Sequence, residues 1–92
     1  MSIPKDEPVT GSRAVGDMLE KASIRKLLGT ERFYIVSGKL LKDIHRNAYL
    51  RKDGDWYVFC RDQGFYDTLE EAENHLENCR ARFRDEDGQV KV

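Results

Sequence analysis

Apolar residues recur at helical spacing in two parts of the chain, one near the start and one near the end. In the first part they follow one another at steps of one or three, apart from a step of five between Ala22 and Leu27: Val15, Met18, Leu19, Ala22, Leu27 and Leu28. This pattern predicts a first helix with Ser12 as its N-cap and Gly29 as its C-terminal stop. Gly16 weakens the first turns by about 1 kcal/mol relative to alanine.

A cleaner apolar stripe predicts a second helix over residues 68–83. Its members fall at intervals of three and four: Leu69, Ala72, Leu76, Cys79 and Phe83. Thr68 and Glu71 have the spacing of a capping box, in which each side chain accepts a hydrogen bond from the other residue's backbone N–H. Acidic residues crowd the first turns and arginines close the last, an order that suits the helix dipole. The sequence therefore predicts an amphipathic helix with one buried side.

Between the helices, three runs of β-forming residues predict strands over residues 33–36, 47–51 and 56–60. Phe65 and Tyr66 add a short extended piece before the second helix. Residues 39–45 fit either a helical turn or an irregular strand, and their type stays open. The order predicts an α+β fold, α-β-β-β-α, in which the C-terminal helix packs on a three-stranded antiparallel sheet.

The pattern also divides the chain into three regions. Residues 1–11 hold both prolines and no apolar periodicity, which predicts a flexible N-terminal arm. Residues 12–84 form a single α+β domain, because 92 residues with 39% hydrophobic content suit one small core. Residues 85–92 are a predicted frayed, charged tail.

Asp53 and Gly54 form a strong hairpin signal, because a type I′ turn needs positive φ at both central positions. A two-residue loop at this point pairs Arg51 with Trp56 and so assigns every neighbouring side chain to a face. The predicted core face carries Ala48, Leu50, Tyr57 and Phe59. The second face carries Asn47, Tyr49, Arg51, Trp56, Val58 and Cys60. A loop of odd length would exchange the two faces.

The second face is too apolar for an ordinary solvent-exposed surface and too polar for a fully buried core. Such a face either receives cover, from the first helix or from residues 39–45, or contacts a partner. In the latter case the predicted partner-binding residues are Tyr49, Arg51, Trp56, Val58, Arg46 and Arg61. Self-association through this face, or through edge pairing of residues 33–36, fits the sequence equally well.

The net charge of -1 conceals a marked segregation along the chain. Residues 1–20 carry a net charge of -2, residues 21–61 carry +6, and residues 62–92 carry -5. Segregation of this kind indicates a surface with separate basic and acidic regions. The basic residues surround the hairpin, where Tyr49 and Trp56 could stack on unpaired bases, so nucleic-acid binding is the alternative function.

Few residues carry the signature of a metal or catalytic site. One candidate zinc set offers two nitrogens and two sulfurs: His45, Cys60, His75 and Cys79. It lacks a C-x-x-C motif, and the apolar stripe already requires Cys79. Cys60 beside Arg61 is the only plausible nucleophile, without a local signature, and the glycines form no phosphate-binding loop. We therefore expect no enzyme activity, no metal and no cofactor.

Two cysteines in a chain of this size are not a disulfide framework, so we expect both to be reduced. No apolar run has the length of a membrane span, and the first residues lack the apolar core of a secretory signal. The sequence predicts a soluble, cytoplasmic protein.

Two features of the chain, its predicted element order and one segment, resemble known families. The order helix, three strands, helix resembles double-stranded RNA-binding domains, in which lysines at the start of the last helix meet phosphates. The matching place here has Glu70, Glu71 and Glu73, which would repel a phosphate backbone. Within residues 53–76, a strand followed by the residues GFYDTLEEA at 64–72 is similar to the strand-to-helix passage of phage integrase arm-binding domains. That resemblance implies DNA contact through the sheet.

The absence of catalytic motifs, the aromatic second face and the segregated charge together predict a small non-catalytic protein-binding module. It would act as a regulator or inhibitor by occupying a surface of a larger complex. Compact charged chains of this kind are often encoded by phages or mobile elements, including anti-defence proteins. The expected partner is another protein or a second copy of the chain, with nucleic acid as the alternative and no membrane.

Overall fold

The structure is a computed structural model that describes residues 6–37 and 47–90. Its elements are, in chain order, α1 (Ser12–Lys21), β1 (Ser23–Lys26), β2 (Phe33–Ser37), β3 (Ala48–Leu50), β4 (Trp56–Tyr57), β5 (Phe65–Tyr66) and α2 (Leu69–Val90). The strands form one antiparallel sheet in the order β1-β2-β3-β4, and β5 pairs with the first half of β2. The predicted α+β class is therefore confirmed, but the described part of the sheet has five strands and not the three predicted. Residues 39–45 lie outside the described ranges.

The first helix is shorter than its apolar spacing predicts. It ends at Lys21, because Ala22 has extended backbone with ψ of 144°. The predicted continuation to residue 28 is wrong, since Ser23–Lys26 forms a strand that pairs with β2. Ser12 is the first helical residue and not the N-cap, a position that Gly11 takes.

A tight turn between β1 and β2 replaces the predicted end of that helix. The Leu27 N–H donates to the Arg32 carbonyl at 2.8 Å. The Thr30 hydroxyl donates to the Leu27 carbonyl at 2.8 Å and accepts the Arg32 N–H at 3.1 Å. Leu27 and Leu28 are 36% and 94% exposed, so they belong to the turn and not to the core.

Both helices pack against the same face of the sheet. The buried core comprises Met18, Leu19, Ile35, Ala48, Leu50, Trp56, Tyr66, Ala72, Leu76 and Cys79. Gly16 permits close contact between the helices, because an added Cβ there would lie 3.1 Å from the Phe83 ring. Arg80 Nε donates to the Leu19 carbonyl at 2.8 Å and so satisfies one of the carbonyls at the C-terminal end of α1.

The second helix follows its sequence pattern closely. The Glu71 N–H donates to Thr68 Oγ1 at 3.0 Å, which confirms Thr68 as a capping residue. Ala72, Leu76 and Cys79 are buried as predicted, whereas Leu69 is 45% exposed and lies outside the buried stripe. The helix continues to Val90, beyond its predicted end at residue 83.

Residues 6–9 lie beside the hairpin. The Val9 N–H donates to the Trp56 carbonyl at 2.7 Å, and Pro8 forms an isolated bridge with Tyr57. Flexibility of the arm, residues 1–11, and fraying of residues 85–92 stay predictions. Over the described ranges, neither helix combines the length and the apolar character that crossing a membrane requires.

Candidate partner-binding face

The β3–β4 hairpin has a different register from the one that the sequence predicts. Leu50 lies opposite Trp56, and Tyr49 lies opposite Tyr57. The predicted register, with Arg51 opposite Trp56, is therefore wrong by one residue. Only residues 56–57 of the predicted strand 56–60 remain in the ladder.

A three-residue loop produces this register. The Arg51 N–H donates to the Asp55 carbonyl at 3.0 Å, which leaves Lys52, Asp53 and Gly54 as the loop. The Lys52 N–H donates outside the hairpin, to the Gln63 carbonyl at 2.9 Å. Gly54 adopts φ of +91°, the left-handed conformation that the last residue of such a loop requires.

The new register exchanges the two faces of β4. Trp56 lies on the helix side with Ala48 and Leu50 and is only 1% exposed. Its predicted place beside Tyr49 on a contact surface is thus wrong. Tyr57, predicted for the core face, instead lies with Tyr49 on the side away from the helices.

We call the sheet face opposite the two helices the outer face. Strand pairing and alternation place eight residues on it: Ser23, Arg25, Tyr34, Val36, Tyr49, Arg51, Tyr57 and Phe65. An aromatic cluster occupies its centre. The Tyr34 ring lies 5.9 Å from the Tyr49 ring and 6.3 Å from the Phe65 ring, and the latter pair meets edge to face.

An open groove of about 340 Å³ runs along this cluster. Its lining residues are Leu27, Tyr34, Tyr49, Val58, Phe59, Cys60 and Phe65. The structure thus brings together the predicted contact residues Tyr49 and Val58. Tyr34 and Phe65 are not among the predicted contact residues, although the alternation of Tyr34 with the buried Ile35 is a usable signal in the sequence.

The Arg51 side chain forms hydrogen bonds within the molecule, and the residue is only 6% exposed. Its Nε and Nη2 donate to the Phe59 carbonyl at 3.2 Å and 2.9 Å, and Nη2 also donates to the Asp6 carboxylate. The guanidinium carbon lies 3.8 Å from the centre of the Tyr57 ring. The hydrogen bond from Arg51 holds the pKa of Asp6 below its usual value. Arg51 therefore joins the arm to the hairpin and is not displayed for a partner.

Two arginines remain accessible beside the groove. The Arg61 side chain is 59% exposed, and its guanidinium lies 5.1 Å from the Phe59 ring. Arg25 is exposed on the outer face, directly opposite Tyr34. Arg46, the remaining predicted contact residue, lies outside the described ranges. The accessible charge at this groove is therefore basic, although Asp6 lies 3.8 Å from Arg61.

The candidate zinc ligands do not form a cluster in the described part of the chain. Cys79 Sγ lies 3.7 Å from His75 Nε2, but that nitrogen is 2.8 Å from the Arg51 carbonyl and donates its proton there. His45 lies outside the described ranges. Burial raises the pKa of Cys60 to about 11 and also raises that of Cys79. Protonated thiols are poor nucleophiles and poor metal ligands at neutral pH.

Comparisons with protein-family models, with curated proteins and with solved structures give no match to this chain. The structure also departs from the element order of double-stranded RNA-binding domains, because β1 and β5 interrupt the order helix, three strands, helix.

Proposed function

We propose that the protein is a non-catalytic module that binds another protein through the groove of the outer face. It would act as a regulator or inhibitor by covering a surface of that partner. The observation that supports this proposal is the partly exposed aromatic cluster of Tyr34, Tyr49 and Phe65, which lines an open groove.

The composition of the groove suits a protein partner. Aromatic residues are enriched at the centres of protein interfaces, and tyrosine contributes a large contact area at a small entropic cost. The groove also has basic residues at its margin, Arg25 and Arg61, where a polar rim is expected. Apolar side chains of a partner would occupy the groove, and its carboxylates would lie at the rim.

Nucleic acid is the second candidate partner, and the same two arginines favour it. Bases can stack on tyrosine rings and on guanidinium planes. Phosphate contacts dominate such affinity, however, and the Asp6 carboxylate neutralises Arg51 beside this face. The outer face therefore supports a protein partner better.

Site-specific crosslinking in a lysate of the source cells tests the proposal. A photoreactive benzophenone amino acid replaces Phe65 in the groove or, as the matched control, the exposed Leu69 on α2. We expect a protein to crosslink to position 65 and not to position 69. Mass spectrometry then identifies that protein for purification.

The affinity of the purified partner provides the quantitative test. Tyr49→Ala should weaken binding by about tenfold or more, as removal of a central aromatic contact does. Glu73→Ala, on the exposed side of α2, should leave the affinity unchanged. Equal crosslinking from positions 65 and 69, or unchanged affinity in Tyr49→Ala, would contradict the proposal. Crosslinking to nucleic acid, with affinity that falls steeply with salt, would favour the second candidate.

A further inference from the structure

The strand β1 forms an edge of the sheet. Among the residues that the structure describes, it pairs with β2 on one side only, and the strand order ends with it. Edge pairing of residues 33–36 was one of the two modes of self-association that fit the sequence, but Phe33–Ser37 is paired with β1, β3 and β5 and is internal. An edge for pairing with another chain therefore exists at β1 and not at β2.

The hydrogen-bond pattern identifies the free backbone groups of β1. Leu27 and Arg32 form a hydrogen-bonded pair across the turn. Such pairs recur at every second residue of an antiparallel ladder, so Arg25 and Ser23 also bond to β2. The N–H and C=O groups of Ile24 and Lys26 then point away from the sheet. No other element in the described ranges forms a backbone hydrogen bond with these two residues.

The charged side chains of β1 itself, Arg25 and Lys26, are both basic. Residues 21–30 include Lys21, Arg25 and Lys26 and no acidic residue. All three basic residues are exposed, and Lys26 has one nearby acid, Glu31, whose Oε1 lies 3.6 Å from Nζ. Basic side chains on an edge discourage pairing with neutral or basic strands. They leave an acidic strand as the complementary partner.

A second copy of the chain is a poor occupant of this edge. Antiparallel pairing of two copies must match the outward-facing residues, Ile24 and Lys26, with one another. Each such register places Arg25 opposite or diagonal to Arg25 of the other copy, or Lys26 directly opposite Lys26. Like charges in these positions destabilise a sheet.

We propose that β1 is the docking edge for an extended acidic segment of the partner protein, which adds to the sheet as a further antiparallel strand. This inference rests on the proposed function, because it assigns chemistry to the same partner, but it uses a different part of the molecule. Leu28, almost fully exposed just beyond the edge, would contact an apolar residue at the N-terminal end of that segment. Backbone hydrogen bonds would supply affinity and the basic side chains selectivity.

A preorganised peptide provides the test. The probe is a cyclic β-hairpin peptide whose free strand alternates valine and glutamate, and a matched peptide carries lysine in place of glutamate. Binding is followed by amide chemical shifts and amide exchange of the ¹⁵N-labelled full chain. We expect saturable shifts and slower exchange at Ile24 and Lys26 with the glutamate peptide, and none with the lysine peptide.

Two variants of one residue separate the backbone from the charge. Lys26→Pro removes the outward N–H, and we expect it to weaken peptide binding by about tenfold, the effect of one backbone hydrogen bond together with the steric effect of the ring. Lys26→Ala keeps the N–H and should weaken binding only about twofold, because the loss of one exposed charge pair costs little. Unchanged shifts of Leu50 and Trp56 would show that the sheet is intact. If Lys26→Pro does not fold, Arg25→Glu serves instead and should transfer the preference to the lysine peptide.

Several results would overturn the inference: no response at β1, equal binding of the two peptides, or full binding by Lys26→Pro. A dimer of the free protein that uses the amides of β1 would assign the edge to a second copy and overturn it too. A partner captured through the groove and bound equally by wild type and Lys26→Pro would refute the edge and leave the proposed function in place.

Discussion

Replacement of Trp56 by alanine tests the register of the β3–β4 hairpin, because the two registers place this side chain on opposite faces. In the structure Trp56 is 1% exposed and belongs to the core with Leu50 and Met18. Removal of a buried tryptophan side chain costs about 3–5 kcal/mol. The total stability of a chain of this length is roughly 5–14 kcal/mol, so Trp56→Ala loses a large part of it. Tyr49→Ala should cost about 1 kcal/mol, since it removes a half-buried ring and its contact with Tyr34.

Urea unfolding followed by far-ultraviolet circular dichroism measures both changes. With a slope of about 1–1.5 kcal/mol per molar, the midpoint should fall by roughly 2–5 M for Trp56→Ala and by about 1 M or less for Tyr49→Ala. Trp56 is the only tryptophan in the chain. The folded wild type should therefore show blue-shifted fluorescence that acrylamide quenches poorly, and unfolding should remove both properties.

A conservative variant sharpens the test. Trp56 Nε1 is buried with no hydrogen-bond partner among the described residues. Trp56→Phe keeps an aromatic ring and removes this unpaired donor, so we expect less than half of the alanine cost. Equal midpoints for Trp56→Ala and Tyr49→Ala, together with readily quenched fluorescence, would refute the three-residue loop and restore the predicted faces.

Three further predictions concern single contacts. The pKa of Asp6 is depressed, so its pairing with Arg51 adds stability above the ordinary aspartate pKa and loses it as the pH falls through the folded-state pKa. Urea midpoints of Asp6→Asn and wild type should therefore differ at neutral pH and converge in acid; a constant difference would contradict this. The hydrogen bond from Tyr57 to Asp53, at 2.6 Å, raises the pKa of Tyr57 to about 12. Its stabilisation is complete below the ordinary tyrosine pKa of about 10 and is lost as the pH rises towards 12, and ultraviolet titration of Asp53→Asn should show an earlier ionisation than in wild type. Thr68→Ala should cost about 1 kcal/mol in thermal or urea unfolding, because the Glu71 N–H loses its acceptor, whereas Thr68→Ser should retain most of the stability.

The elements that the sequence predicted well are those whose information is local. In α2, the Thr68 cap and the buried Ala72, Leu76 and Cys79 follow from spacing alone, because helix geometry relates residues three and four apart. The strand at residues 33–36 follows from a run of β-forming residues. These elements were enough to establish the α+β class with a helix at each end.

The residues of the candidate groove were predicted only in part. Tyr49 and Val58 line it, but Trp56 lies in the core, and contacts with Asp6 and Phe59 bury Arg51. Leu27 lines the groove because residues 23–26 form a strand that pairs with β2. The spacing of the apolar residues in this part of the chain predicted a helix instead. Ile24 lies opposite Ile35 in that pairing, a contact between elements that no local pattern contains.

The sequence by itself thus determined the Thr68 cap and the buried positions of α2, the central strand and the presence of a turn at Asp53 and Gly54. Only the tertiary structure decided the length of that turn. An Asp-Gly pair suits a loop of two residues or of three, and in the structure the three-residue loop occurs together with the bond from the Lys52 N–H to the Gln63 carbonyl and the bond from the Val9 N–H to the Trp56 carbonyl. Both contacts join residues that are distant in sequence. Because side chains alternate along a strand, this one-residue choice determined which aromatic side chains entered the core and which formed the outer face.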